Sequence, residues 1–255
     1  MYPYVDFLGS RIPMYSLCAM LGLLASTFVL VIALYSKGLV RKYAALAYIA
    51  LPGVILGGKF FSIISITLTE LNSGKSVDVI ENVKQAGNVY YGGLLGYLAL
   101  IYLLCKLRNL DFRELESPIA ISIPLFHSFG RVGCFFAGCC YGIESNSRFA
   151  VLYRIDGETE VVMRIPVQLI EAGFELCLCG LLCLLFWNTE KRESKNQYIL
   201  EIYLILYSLF RFVIEFLRGD TIRGVYRFLS FSQIVSLILL LVIVCRRFYH
   251  VFIKK

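Results

Sequence analysis

Apolar residues in this sequence are gathered into unbroken blocks about 17–25 residues long, the length that crosses a bilayer as an α-helix. Such blocks leave few folds open. In lipid every backbone N–H and C=O must be satisfied within the protein, so only helices and closed barrels span it. Barrel strands alternate between lipid and lumen over about ten residues, whereas the runs here are continuous. Composition agrees, with 58% apolar and 17% charged residues against about 45–50% and about 25% in soluble domains. The expected fold class is all-α, a polytopic membrane protein. No linker, internal repeat or low-complexity tract divides the chain, so residues 1–255 read as one domain.

Breakers between the blocks predict about seven transmembrane helices: residues 13–35, 44–68, 90–107, 118 to about 137, 166–187, 198–217 and 231–248. Pro13 and Pro166 suit a first helical turn, where the missing N–H costs nothing. With seven spans, the loops 36–43, 106–116 and 188–197 share one side with the C-terminus. That side carries thirteen basic and five acidic residues, the other nine of each. The positive-inside rule makes the basic side cytoplasmic, which gives an N-out, C-in topology. The net charge of +7 is then a topology signal that also favours anionic headgroups, and it calls for no nucleic-acid partner. The N-terminus MYPYVDFLGSR lacks a basic n-region and no small-residue cleavage site follows the first block, so no cleavable signal peptide is expected.

Charged side chains deep in a bilayer are costly and mark functional or tightly paired positions. Lys59, Arg131 and Arg211 fall inside predicted spans, and Glu171, Glu175, Glu201 and Glu215 lie within or near them. In LYSLFRFVIEFLRGD, a continuous helix would align Arg211, Glu215 and Arg218 on one face. Two arginines flanking one glutamate leave a surplus positive charge, which suits an anionic ligand; the plain alternative is a salt bridge that locks helices together. Arginine's planar fork matches phosphate bidentately. Arg131 lies between Gly130 and Gly133 in HSFGRVGCFFAGCCYG, where small neighbours allow close approach. Together these features point to a phospholipid headgroup.

The sequence has no P-loop, no dinucleotide-binding glycine motif and no HExxH zinc motif. With His127 and His250 as its only histidines, a histidine-rich metal site is excluded, and no metal or cofactor is expected. His250, beside the basic C-terminus, reads as a surface residue. Six of the nine cysteines (Cys18, Cys105, Cys177, Cys179, Cys183 and Cys245) fall in apolar segments, where a thiol behaves as a small hydrophobe. Cys134, Cys139 and Cys140 stand apart. Adjacent cysteines rarely bridge each other, so a disulfide would join Cys134 to one of the other two, across a break at Gly138.

At this point an ordered series of motifs resembles one family, the prolipoprotein diacylglyceryl transferases. IPMYSLCAMLG resembles the first-span motif, with Tyr15 at the family's tyrosine. GGKFF resembles GGRxGY with Lys59 for arginine, and YYGGLLG resembles HGGLxG with Tyr91, Gly92 and Gly93. GRVGCFFAGCCYG resembles the signature GRxGNFxNxExxG, IPVQLIEA resembles H/YPxQLYE, and LFRFVIEFLRGD resembles YRFxxEFxR. The resemblance implies a seven-span bacterial inner-membrane enzyme. It would move the diacylglyceryl group of phosphatidylglycerol onto the lipobox cysteine of a preprolipoprotein, with no cofactor. It implies essential arginines at Arg131 and Arg211, an accompanying glutamate at Glu215, and lipid-site residues at Tyr15 and Gly142.

The sequence departs from the pattern at the family histidine, which is Tyr91, and at the signature asparagine and glutamate, which are Cys134 and Cys139. Arg131 and Arg211 are expected to hold the lipid phosphate, Glu215 and Arg218 to orient them, and His127 or Tyr91 to act as base. His127 is four residues before Arg131, on one helix face with it. The departures fall on the acceptor side, which leaves open another acceptor (a glycan, a lipid-linked saccharide or a small amphiphile). A thiol-redox protein and a non-catalytic lipid-binding protein are the alternatives of another class.

Overall fold

The computed structural model describes residues 2–7, 9–74, 76–154, 161–191, 198–220, 225–226 and 228–252. Several charges counted for orientation, among them Arg192, Lys195, Arg223 and Lys255, lie outside these, as does the side chain of His250. Nine α-helices carry the described chain: α1 (Met14–Ser36), α2 (Val40–Ile49), α3 (Pro52–Asn72), α4 (Val79–Gln85), α5 (Tyr90–Leu107), α6 (Phe112–Ala137), α7 (Val167–Lys191), α8 (Ile199–Ile214) and α9 (Phe231–Phe252). Strands are confined to three short antiparallel hairpins: β1–β2 (Tyr4–Phe7, Ser10–Pro13), β3–β4 (Val151–Tyr153, Val162–Arg164) and β5–β6 (Val225–Tyr226, Leu229–Ser230).

The protein is an all-α polytopic membrane protein. Six described segments are long and apolar enough to cross a membrane: α1, α2 with α3, α5, α6, α7 and α9. The span expected over 198–217 differs. Its regular helix, α8, stops after 16 residues and tightens into a 3₁₀ turn at Glu215–Leu217. The span expected over 44–68 is broken at Ala50–Leu51, because Pro52 opens α3 and restricts the residue before it.

Backbone contacts gather the chain into two compact units, Met1–Ala33 with Glu116–Asp220 and Leu34–Leu115 with Thr221–Lys255. In the second unit α3 lies against α5 on two glycine pairs spaced four apart, Gly53/Gly57 and Gly92/Gly96. A Cβ at Gly53 would sit 2.6 Å from the Gly96 carbonyl, and one at Gly57 would overlap the Gly92 carbonyl. Small residues at this spacing let helix backbones approach where lipid supplies no hydrophobic drive. Tyr91 is buried beside them and donates its phenol proton to Ser236 Oγ at 2.6 Å, because that serine's own proton goes to the Ser232 carbonyl.

In the first unit α6 and α7 run antiparallel. The pairings Cys179 with Ile121, Glu175 with His127, Ala172 with Ser128 and Glu171 with Arg131 descend α7 as they ascend α6. Helix α8 is registered on α7 by Phe174 stacked on Phe210, ring centroids 3.8 Å apart. That stack brings Glu171 against Arg211. Helix α1 crosses α6 at Gly22, where a Cβ would be 2.7 Å from Phe129 Cβ.

Replacing Gly57 or Gly92 by alanine is expected to force α3 from α5 and lower the thermal midpoint of the detergent-solubilised protein, at about 1–3 kcal/mol for overpacking. Gly180 on α7 faces open space, so Gly180→Ala should leave the midpoint within experimental error. Equal midpoints for all three variants would refute the close-approach account.

Candidate active site

Burying a guanidinium among apolar helices requires a counter-charge with matched hydrogen bonds. Arg131 and Arg211 share one. Glu171, one turn into α7, pairs through Oε2 with Arg131 Nε and accepts at Oε1 from Arg211 Nη1 at 2.8 Å. Arg211 Nη2 lies 2.7 Å from Glu215 Oε2 at the i, i+4 spacing. All four residues are buried. Glu171 is the residue the sequence reading passed over: it carries the glutamate of IPVQLIEA, and that motif was the available signal.

Arg131 is held from a second side. Its Nε donates to His127 Nε2 at 3.1 Å, and an arginine N–H can only donate. His127 Nε2 is therefore the acceptor nitrogen, and the imidazole proton sits on Nδ1, 2.8 Å from Glu175 Oε1. Both ring nitrogens are engaged, so the geometry makes His127 a link from Glu175 to Arg131. This differs from the expectation that it serves as base. Tyr91, the other candidate base, belongs to the second unit and spends its proton on Ser236.

Arg218 departs from the expected helical stripe. The helix ends before it, its backbone is extended (φ −79°, ψ 137°), and its fork grips Asp220 at 2.9 and 2.6 Å. Glu171 Oε1 is 4.0 Å away. Three guanidiniums thus meet four carboxyl groups, those of Glu171, Glu175, Glu215 and Asp220, and the surplus positive charge inferred from two arginines and one glutamate is absent. What remains available is hydrogen bonding. Among the described residues Arg131 is engaged only through Nε, which leaves the N–H donors of its two Nη groups unspent.

Local backbone explains why these groups converge. Gly142 bridges the Arg218 backbone, Ile143 N–H donates to the Leu217 carbonyl at 2.9 Å, and Ile165 N–H donates to the Ile143 carbonyl at 3.1 Å. A Cβ at Gly142 would strike the Ile165 carbonyl, so only glycine lets the three segments meet. The role this gives Gly142 is to anchor Arg218. Gly133 is filled by Tyr15, whose Cα would lie 3.2 Å from an added Cβ, whereas Gly130 has no protein atom within 4 Å of that position. The room beside Arg131 is on the Gly130 side. Tyr15 itself is 47% exposed on the first turn of α1.

The thiols of Cys134, Cys139 and Cys140 cluster nearby, each sulfur within 4.8 Å of the others. The Cys140 thiol is held well below the ordinary thiol range by hydrogen bonds from Cys134 and Cys139, and then by the charges of Arg218 and Arg131. Gln168, a second residue not singled out from sequence, donates to the Cys139 carbonyl and to the Tyr153 hydroxyl, both at 2.7 Å. Of the other expected site residues, Lys59 is exposed on α3 and Gly92 and Gly93 pack against α3, all within the second unit.

The protein-family model described as prolipoprotein diacylglyceryl transferase matches residues 4–249. A phosphatidylglycerol–prolipoprotein diacylglyceryl transferase of Clostridium tetani is 31% identical over 241 residues, covering 93% of this chain and 92% of that protein. A second, from Clostridium perfringens, is 35% identical over 73% of this chain and 70% of its own length. One from Rickettsia bellii is 31% identical over 75% and 72%. A family match from end to end, on a chain whose buried arginines sit within those motifs, shows that this protein belongs to the prolipoprotein diacylglyceryl transferase family.

Proposed function

We propose that this chain transfers the diacylglyceryl group of phosphatidylglycerol to the lipobox cysteine thiol of a preprolipoprotein and releases glycerol phosphate. The observation that carries the reading is the asymmetric use of Arg131. Its Nε is fixed by His127 and Glu171 while its two Nη groups remain unspent beside Gly130. A guanidinium held rigid on one edge offers the other edge to a phosphate with little ordering cost, and charge-assisted N–H···O bonds of this kind are about twice as strong as neutral ones.

In the transfer, a sulfur–carbon bond forms at the glyceryl carbon as its bond to the phosphate oxygen breaks, and the electron pair leaves with glycerol phosphate. Arg131 and Arg211 stabilise the charge that gathers on that phosphate. Glu171 keeps the two guanidiniums at fixed separation, and Glu215 completes Arg211's coordination. The acceptor thiol gains thiolate character from the same positive groups. His127 and Glu175 position Arg131 from the side away from the lipid. The basic loops support an N-out, C-in arrangement in the bacterial cytoplasmic membrane, with donor and acceptor reached from the outer leaflet. Cysteines at the positions of the signature asparagine and glutamate favour a second reading, in which the donor is the same and the acceptor is another membrane-associated nucleophile.

The test is transfer from labelled phosphatidylglycerol to a lipobox peptide by the purified protein in lipid. Arg131→Ala and Arg211→Ala should each reduce labelled peptide to background while the protein remains in the membrane; retained transfer in either would refute the clamp. Label appearing in a product other than the peptide, from a membrane extract free of lipoprotein precursors, would establish the second reading instead.

Two further variants separate positioning from proton transfer. Glu171→Ala leaves two buried guanidiniums without their shared partner and should destabilise the protein by about 3–5 kcal/mol, read from thermal or denaturant unfolding. His127→Ala should lower turnover by less than about 100-fold and leave the shape of the pH–rate profile intact. A larger loss, together with disappearance of one limb of the profile, would make His127 the base after all.

A further inference from the structure

The three-cysteine cluster is built by a helix ending. Gly138 has φ +76°. Its N–H donates to the Phe135 carbonyl at 3.3 Å, and the Cys139 N–H donates to the Cys134 carbonyl at 3.2 Å. These two bonds make a Schellman ending, in which the side chain after the glycine folds back on the one four residues before the glycine. Those two side chains are Cys139 and Cys134. Cys140 then adopts φ +57°, a conformation uncommon outside glycine, and this turns its thiol toward the same point. The turn is pinned from below, where the Cys139 carbonyl accepts from Gln168 Nε2 at 2.7 Å and from the Tyr153 hydroxyl at 3.3 Å, and both of those side chains are buried.

We propose that Cys134, Cys139 and Cys140 form a three-thiolate site for one soft metal ion, Cu(I) or Zn(II). A metal at about 2.3 Å from each sulfur needs sulfurs about 4 Å apart, and these already lie within 4.8 Å of one another. Small side-chain rotations close the difference. Three sulfurs mutually in reach exceed what a disulfide uses, and thiolate-only donors select Cu(I) or Zn(II) over harder ions. Cys139 is exposed and Cys134 and Cys140 are half-buried, so an ion has a way in. Binding exchanges the thiol protons for the ion and releases them to solvent, and the guanidiniums of Arg218 and Arg131 act electrostatically on Cys140, offsetting the negative charge of the complex. A Zn(II) ion would keep a fourth position for a small ligand. The site rests on the turn alone and stands whether or not the transfer reaction is the one proposed.

The test uses the full-length, reduced protein in detergent, titrated in one arm with Cd²⁺ as a spectroscopic stand-in for zinc and in the other with Cu(I) against a chromophoric chelator. One equivalent should bind in at least one arm, with a saturating sulfur-to-metal charge-transfer band when the ion is Cd²⁺; the arm that responds identifies the ion class. Cys134→Ser should weaken binding by at least about tenfold, while Cys179→Ser with Cys183→Ser, at a separate thiol pair in α7, should leave it unchanged. On the unaltered protein, the bound ion should shield the peptide containing residues 134–140 from N-ethylmaleimide. Absence of saturable binding in both arms overturns the proposal. So does binding that survives substitution of all three cysteines, or alkylation of that peptide at the same rate with and without metal.

Discussion

The polar chemistry of the first unit depends on a single carboxylate shared by two buried guanidiniums, with Glu171 standing between Arg131 and Arg211. Each arginine alone among apolar helices would be intolerably expensive. Joined through Glu171, and continued to Glu215 on one side and to His127 and Glu175 on the other, they form a chain of alternating charge that spans three helices. The chain fixes the register of α6 on α7 and of α7 on α8 as firmly as the Phe174–Phe210 stack does. It also leaves one guanidinium edge unused, and that edge gives the network a use beyond holding helices together.

Part of this was legible in the sequence because it is local. Arg211 and Glu215 are four residues apart on α8 and do pair, and His127 lies four before Arg131 and bonds to it. What periodicity could not reach was pairing across 40 or more positions, which made Glu171 and Glu175 look like isolated acids in a span. Arg218 was misjudged for a different reason. Its spacing suits a helical face, but the chain leaves the helix at Ile214 and the bridge to Gly142 takes over. The apolar blocks marked the long helices well, since lipid leaves little choice of structure. The glycine pairs of α3 and α5 are visible in sequence only once their four-residue spacing is matched between two helices.

The same contrast applies to the cysteines. Their positions within the signature mark where this chain departs from the pattern of its family, and Gly138 supplies the left-handed residue that lets the chain turn there. Residue spacing on an ideal helix would keep the three thiols apart. The Schellman ending brings them together, next to Arg218 through the Gly142 bridge. The acceptor side is thus where this chain is most its own, while the arginine pair on the donor side keeps the residues of the family motifs.

Binding of the donor lipid tests the central claim most directly, because it separates the unspent edge of Arg131 from the charge network that supports it. Native mass spectrometry of the detergent-solubilised protein with phosphatidylglycerol, comparing the unaltered chain with Arg131→Lys, reads that edge alone. Lysine keeps the charge but lacks the planar fork. The account predicts that bound phosphatidylglycerol falls by at least about tenfold in the lysine variant at unchanged thermal stability. Equal lipid occupancy in the two proteins would contradict it.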